Sequence, residues 1–425
     1  RDAQESRGLG DVYKRQVKFF AKAGVVGLLL ALTVGCANAP GADPDMRASE
    51  SPSAAKDGKS AREQTSPSPT PNFSIGLIST ASGMTAIRPT DVVEVPVAGG
   101  QLTKFSAYDA EGQEVPGTIE ANSWRPTRPF KPQHKYRFDV EATASDGRTA
   151  TATAYGLTIN PELVVEIDFL HTHGAGNGMP IWARFDLPVK DQAQRQAIMN
   201  AAQVTTVPEQ EGSWAWFDQN TMFWRPKEYW LPGSTAHVEI HAAGLPVGDT
   251  WVLDDVSADY QFGDLRVLHA DIDGHWLTAY RNGEQVASFP ASYGKPGDDT
   301  MTGTKLIMAK EGSIIMDSST YGRPVDDPDG YRLRVELSQR VTWSGEYIHA
   351  APWADASHGN ANVSHGCVGL SNADAQWIWN FTAAGDPVEF TGSTKRVAPG
   401  DTIGAWVYSW DEWLAAGDGR LTGLR

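Results

Sequence analysis

Cys367, His349 and His365 are the residues whose types and spacing suit covalent chemistry in this sequence. Cys367 sits in "NVSHGCVGLSNADA", behind a His-Gly pair and followed by a second glycine two residues on. A structural cysteine behaves as a small hydrophobe and needs no such polar, glycine-rich company. A nucleophilic one reacts as the thiolate, so a neighbour must stabilise that form. It also needs a base within reach and a group that orients the base. His365 lies two residues before Cys367, and in an extended segment both side chains leave one face. His349 lies 367 − 349 = 18 residues upstream, in "RVTWSGEYIHAAPW", where strand pairing can bring it alongside. His358, in the polar stretch "ASHGNAN", reads as solvent-exposed. Gly366 and Gly369 let the backbone turn tightly, so that amide N–H groups meet a developing oxyanion. Ser371-x-x-Asp374 has the form of a capping box opening the helix "ADAQWIWNFTAA",. A helix N-terminus there would favour the thiolate.

The elements that must position these residues are strands. After Gly263, "LRVLHADIDGHWLTAYRNGEQVASFPASYG" gives two strands around Asn282-Gly283, a strong hairpin signal,. "STYGRPVDDPDGYR" is crowded with Gly, Pro and Asp and reads as a long loop of the kind that forms lids,. Upstream, from Phe73, short alternating runs separated by turns predict further strands, with Asp146-Gly147 as a hairpin turn,. "SWRPTRPFKPQHKYRFDVEA" and "FWRPKEYWLPGSTAHVEIHA" repeat one pattern, Trp124-Arg125-Pro126 returning as Trp224-Arg225-Pro226. A period of that size fits an immunoglobulin-like sandwich, and two are expected, over 73–160 and 161–262. His171 and His173 offer two imidazoles with no third ligand near in sequence, so no metal is expected. Trp406, Trp410 and Trp413 follow at helical spacing and predict a brace over 393–425, packed on the domain at 263–392,.

With 425 residues, about three domains are expected,. A net charge of −16 argues against nucleic acid and gives no basic face for anionic lipid,. Residues 1–16, "RDAQESRGLGDVYKRQ", read as adaptor-derived sequence outside the fold,. Residues 17–36 have secretory form: two lysines, the apolar run "AGVVGLLLALTV", then Gly35-Cys36. That run is too short to favour a permanent membrane span. "LTVGC" resembles a bacterial lipobox, with Thr33 where leucine is usual, which makes Cys36 the expected lipidation site. Residues 37–72 are rich in Pro, Ser and Ala and predict a disordered tether,. The expected setting is therefore export and lipid anchoring at the outer face of the cytoplasmic membrane. Cys36 and Cys367 are the two cysteines, so an anchored Cys36 leaves Cys367 without a disulfide partner,.

"SHGCVGLS", together with "GEYIHAAPW", resembles the signature of the L,D-transpeptidases, whose catalytic domain is of the YkuD type. The domain order resembles that of large actinobacterial members. The resemblance implies a mainly β protein: two immunoglobulin-like β-sandwiches, then a YkuD-type domain with a short helix after the nucleophile. It implies Cys367 as nucleophile and His349 as the base that forms an ion pair with it. The main-chain carbonyl of Ala350 would orient that base, serine being frequent at this position. His365 and Gly366 would shape the pocket, the Cys367 amide would serve the oxyanion, and Ser364 would contact substrate. Tyr331 resembles the lid tyrosine, Tyr321 and Met316 pocket-lining positions, and Trp353 the tryptophan after the catalytic strand. Many members carry asparagine where this chain has Gly369, which bears on donor binding.

The implied reaction is acyl transfer between peptidoglycan stem peptides, forming 3→3 cross-links with loss of D-alanine, without metal or cofactor. Carbapenems would be covalent inhibitors. An L,D-carboxypeptidase on the same stems is the nearest rival, since the two differ in water access beneath the lid. A surface-binding lipoprotein with an inert C-terminal domain is the non-enzyme alternative. A papain-like peptidase would carry its histidine downstream of the cysteine, and a sortase would need a catalytic arginine after it.

Overall fold

The computed structural model describes residues 72–415. The adaptor-like segment, the secretory segment with Cys36, and the tether up to residue 71 lie outside the described residues.

The first sandwich faces one sheet (Thr149–Leu157, Lys135–Ala144, Gly100–Tyr108, Glu114–Val115) against another (Ser79–Thr80, Val93–Glu94, Ser123–Pro126, Gly117–Glu120). Strict alternation along Lys135–Ala144 sends Tyr136, Phe138, Val140 and Ala142 inward,. Trp124 fills the centre, stacked on Phe105 with ring centroids 4.6 Å apart. The hairpin joining Lys135–Ala144 to Thr149–Leu157 turns at Asp146-Gly147, with Gly147 at φ 85°.

The second sandwich packs the sheet of Ile167–Leu170, Ile181–Phe185, Thr221–Pro226 and Gly212–Trp216 against that of Ala202–Val207, Thr235–Ile240 and Val256–Gln261. Strand Thr221–Pro226 is buried at all six positions, which one sandwich core cannot explain. Met222 and Trp224 enter the sandwich core, while Phe223 enters a second cluster with Trp413 from the C-terminal tail. Arg225, 2% exposed, lies under three tail rings, 4.4 Å from Trp406, 5.1 Å from Trp410 and 5.0 Å from Trp413. Its guanidinium also donates to the carbonyl of Tyr408 at 3.2 Å. Arg125, its counterpart in the repeat, is exposed and pairs with Glu120. The tryptophan-rich end of the tail packs on the second sandwich and touches Leu306 and Met308, while the stretch before it bonds to the catalytic domain, the Thr302 N–H to the Lys395 carbonyl at 2.7 Å and the Trp343 N–H to the Asp401 carbonyl at 2.8 Å. The sequence expectation named the catalytic domain and did not include the second sandwich. The cause is the apolar outer face of Thr221–Pro226, which needs cover.

The C-terminal domain holds a five-stranded sheet ordered Glu284–Pro290, Trp276–Arg281, Arg266–Asp271, Pro387–Thr391, Gly303–Leu306. A four-stranded sheet runs Ala309–Asp317, Arg332–Arg340, Tyr347–Ala350, Val368–Leu370. One apolar core draws on Leu268, Leu277, Val388 and Phe390 from the first sheet and Ile348, Val368 and Leu370 from the second. The hairpin at Asn282-Gly283 puts both residues at positive φ, 52° and 87°, as a two-residue turn of this kind requires,. Helix Asn372–Phe381 is capped by Ser371, whose Oγ accepts from the Asp374 N–H, and buries Ala375, Ile378 and Phe381.

Candidate active site

Strand Tyr347–Ala350 alternates in the usual way, Ile348 and Ala350 entering the core and His349 facing a cleft,. Its parallel neighbour pairs Ile348 with Val368, His349 with Gly369 and Ala350 with Leu370. The same alternation turns Cys367 and Gly369 toward the cleft. The cysteine therefore sits beside His349, one position before the residue that pairs with Ile348. The cleft encloses about 320 Å³, and Met316, Tyr331, Trp353, Ser364 and His365 line it together with Cys367 and His349.

Nδ1 of His349 lies 2.8 Å from the Ala350 carbonyl oxygen. A neutral ring with its proton on Nδ1 donates there and keeps a lone pair on Nε2. The Cys367 thiol, 8% exposed, donates to the Gly345 carbonyl at 3.6 Å. The turn before it is fixed from two sides. Ser364 Oγ donates to the Cys367 carbonyl at 2.7 Å and accepts the Gly366 N–H at 3.1 Å. Thr300 Oγ1 donates to the Gly366 carbonyl at 2.8 Å. Gly366 adopts φ 119°, a conformation L side chains rarely take,. Ser364 lines the cleft, but its hydroxyl is engaged in holding this turn.

Burial dominates the electrostatics. It pushes the Cys367 thiol up to about 12, against a lowering by the Tyr347 amide N–H, with the nearby Glu346 charge raising it further. Burial also lowers His349, more than the Ala350 carbonyl raises it, and His358 adds a further lowering. Both directions favour the uncharged thiol and imidazole, and oppose the standing ion pair expected from the sequence. Helix Asn372–Phe381 gives the thiolate no help either. Strand Val368–Leu370 separates it from Cys367, at about 3.3 Å of rise per residue, and a helix terminus acts only near its first turn,.

The lid segment is tied down by ion pairs. Arg323 donates to both Asp298 oxygens, at 3.2 and 3.0 Å, and Lys295 reaches Asp329 at 2.8 Å. Ser318 and Tyr331 bond each other, Ser318 N–H to the Tyr331 carbonyl and Tyr331 N–H to Ser318 Oγ, both at 2.9 Å. The Tyr331 ring stands 4.9 Å from His365. Tyr321 is 47% exposed and outside the cleft wall, behind Tyr331 at 6.2 Å, so it is not a lining residue here. Trp353, 60% exposed, stacks toward His349 at 6.1 Å. Among the described residues, Asp298, Asp329 and His365 bring ligand atoms within 4.8 Å of one another, but Arg323 and Lys295 already neutralise those carboxylates.

Two features of the site were not visible in the sequence. Lys305 and Glu346 form a hydrogen-bonded charge pair shut off from water, with Glu346 Oε1 also accepting the Met301 N–H at 2.9 Å. Isolated charges 346 − 305 = 41 residues apart carry no pairing signal. His358 is the second. Its side chain is 4% exposed, not solvent-exposed as the polar run suggested, because the 3₁₀ turn Pro352–Ser357 folds it back beneath Gly369.

Residues 265–390 match the L,D-transpeptidase catalytic domain family (YkuD), and residues 84–246 match the bacterial Ig domain family. L,D-transpeptidase 2 of Mycobacterium tuberculosis is 32% identical over 350 residues, spanning 81% of this chain and 84% of that protein. L,D-transpeptidase 5 of the same species is 28% identical over 362 residues, spanning 82% and 77%. The crystal structure of Mycobacterium tuberculosis L,D-transpeptidase 3 in complex with a faropenem-derived adduct is 35% identical. It covers 53% of this chain and 98% of that one, with a TM-score of 0.46.

Proposed function

The chain belongs to the L,D-transpeptidase family and is an acyltransferase of peptidoglycan cross-linking, and from that premise we propose how its own residues do the work. Cys367 attacks the carbonyl of the third stem residue, while His349 Nε2 takes the thiol proton. The tetrahedral oxyanion meets the Cys367 amide N–H, because the Gly366 N–H is already engaged by Ser364. The intermediate collapses by breaking the bond to the fourth residue, and imidazolium returns the proton to the leaving D-alanine amine. A side-chain amine of a second stem then attacks the thioester. His349 takes its proton, and the sulfur leaves and is reprotonated, giving a 3→3 cross-link and free enzyme. Burial disfavours the charged form of each group, so His349 is assigned as a general base during attack,. A lid that excludes water would favour the amine over hydrolysis.

The observation that carries this reading is that Cys367, just before strand Val368–Leu370, and His349, on its parallel neighbour, line the same cleft. The Ala350 carbonyl holds the imidazole there. The substrate wall is assigned to Tyr331, Met316, Trp353 and His365. Carbapenems would acylate the same sulfur. Export and a lipid on Cys36 complete the proposal, supported by the lipobox-like "LTVGC".

Intact-protein mass spectrometry of wild type and Cys367→Ala tests it, with a carbapenem and, separately, a disaccharide-tetrapeptide. A covalent adduct on wild type only, with dimeric muropeptide, is expected. Tripeptide without dimer would make the enzyme a carboxypeptidase. No adduct would overturn the assignment of Cys367.

A further inference from the structure

Gly366 and Cys367 share one peptide unit, and its two polar ends have different tasks. The Cys367 N–H is the donor assigned to the oxyanion, while the Gly366 carbonyl oxygen is held by Thr300 Oγ1 at 2.8 Å. A peptide group is planar and trans, so its C=O and N–H point in opposite directions from one rigid unit. Fixing the oxygen therefore fixes the line along which the N–H is aimed. Gly366, at φ 119°, has no side chain to restrain it, so contacts from outside must set that aim,. Ser364 grips the peptide units on either side, through the Gly366 N–H and the Cys367 carbonyl, and leaves the middle one to Thr300.

Thr300 is fully buried and does not line the cleft. Its hydroxyl accepts the Gly294 N–H at 2.9 Å, which commits its own proton to the Gly366 carbonyl. Both directions are forced, since a backbone N–H only donates and a carbonyl only accepts. The support beneath Thr300 is stiff. Met301, the next residue, gives its N–H to Glu346 Oε1 at 2.9 Å, and Glu346 is locked to the buried Lys305. Across the turn, the Lys295 N–H reaches the Ser364 carbonyl and the Ser364 N–H the Tyr293 carbonyl, both at 2.9 Å. A hydrogen bond received by a carbonyl also polarises its peptide unit and strengthens the N–H at the far end.

We infer that Thr300 is a positioning residue for acyl transfer: through the Gly366 carbonyl it aims the Cys367 N–H at the oxyanion and strengthens it as a donor. The inference rests on the acyl-transfer reading, because only attack on a carbonyl builds that oxyanion.

Two reactions of the same sulfur separate this role from a general one. A carbapenem acylates it through an oxyanion, as the lactam C–N bond opens. Iodoacetamide alkylates it by loss of iodide from a saturated carbon, with no oxyanion, and the thiol proton passes to His349 in both. Intact-protein mass spectrometry gives both rates in wild type, Thr300→Val, Thr300→Ala and Thr300→Ser. D-Alanine release from a disaccharide-tetrapeptide is the turnover assay. Deleting an oxyanion donor costs about 10²- to 10³-fold, and misaiming one costs less, so Thr300→Val should slow acylation about tenfold. Alkylation should stay within about twofold, and in turnover kcat should fall while KM holds. Thr300→Ser keeps the hydroxyl and should retain acylation within about threefold. If Thr300→Val does not fold, Thr300→Ala removes the hydroxyl without adding a methyl and should show the same split. Wild-type acylation rates in the variants without the hydroxyl, or acylation and alkylation falling together, would overturn the role of Thr300 alone. No carbapenem adduct on wild type would overturn the acyl-transfer reading and this inference with it.

Discussion

His349 hydrogen-bonds through Nδ1 to the main-chain carbonyl of Ala350, the residue that follows it. The orienting group is thus backbone, while the Ala350 methyl points into the core. Ala350→Ser should keep kcat/KM within about threefold while lowering stability by about 1–3 kcal/mol for the buried hydroxyl. His349→Gln, which removes the base, should lower acylation about 10²- to 10⁴-fold. Acylation kinetics and chemical denaturation separate the two effects.

The pH profile distinguishes a neutral Cys367–His349 pair from an ion pair. With His349 lowered from its ordinary value and the thiol raised to about 12, the base is lost only on the acid side. Acylation by a carbapenem should rise through an apparent pKa below about 6.5 and stay level from pH 7 to 9. A decline above pH 8 with full activity at pH 5 would mean a thiolate–imidazolium resting state. The stability sign is the same. The unfolded chain protonates this histidine first, so its contribution is present above the ordinary histidine value and is lost as pH falls.

The Lys305–Glu346 pair should cost more to break than to replace whole. Glu346→Ala strands a buried ammonium and should destabilise by about 3–5 kcal/mol. A combined Lys305→Met/Glu346→Leu exchange should recover most of that loss, since apolar replacements of a buried pair are often neutral. Urea unfolding of wild type and the two variants decides the matter.

Asp386 is buried with Oδ1 unpaired, and burial pushes its carboxyl up to about 7 despite the Ala383 N–H at 2.7 Å and Arg266 at 3.6 Å. A raised carboxyl contributes stability below its unfolded value, and that contribution is lost as pH rises through about 7,. Asp386→Asn should therefore raise the melting temperature at pH 8 and gain little at pH 4. A gain of about 1–2 kcal/mol corresponds to about 1–3 °C in a chain of this size. Differential scanning calorimetry at the two pH values is the check.

The parts of this fold carried by local pattern were legible in the sequence. Asp146-Gly147 and Asn282-Gly283 marked real hairpins because a two-residue turn needs positive φ that few residues supply. The alternation in "KYRFDVEA" was legible because a half-buried strand writes its two faces at period two. Cys367 and His349 could be singled out by residue type. Their electrostatics could not, because desolvation depends on what packs around them. His358 looked exposed, since polar neighbours in sequence say nothing of a turn that folds beneath a glycine. Arg125 and Arg225 occupy the same place in the repeat, yet one faces water and the other lies under three indoles. Only the tail, nearly two hundred residues on, makes that difference.

Mechanically, that tail gives the catalytic domain two attachments. The chain enters it from the second sandwich at Phe262 and returns after Thr391, where the Trp413 indole N–H reaches the Ser213 carbonyl at 3.0 Å. Trp406 likewise donates to the Gly178 carbonyl. A tug on a captured stem peptide is then borne by two supports in parallel, and a torque about either one is resisted by the other. The cleft keeps its heading under load, and an acceptor strand must be carried to it.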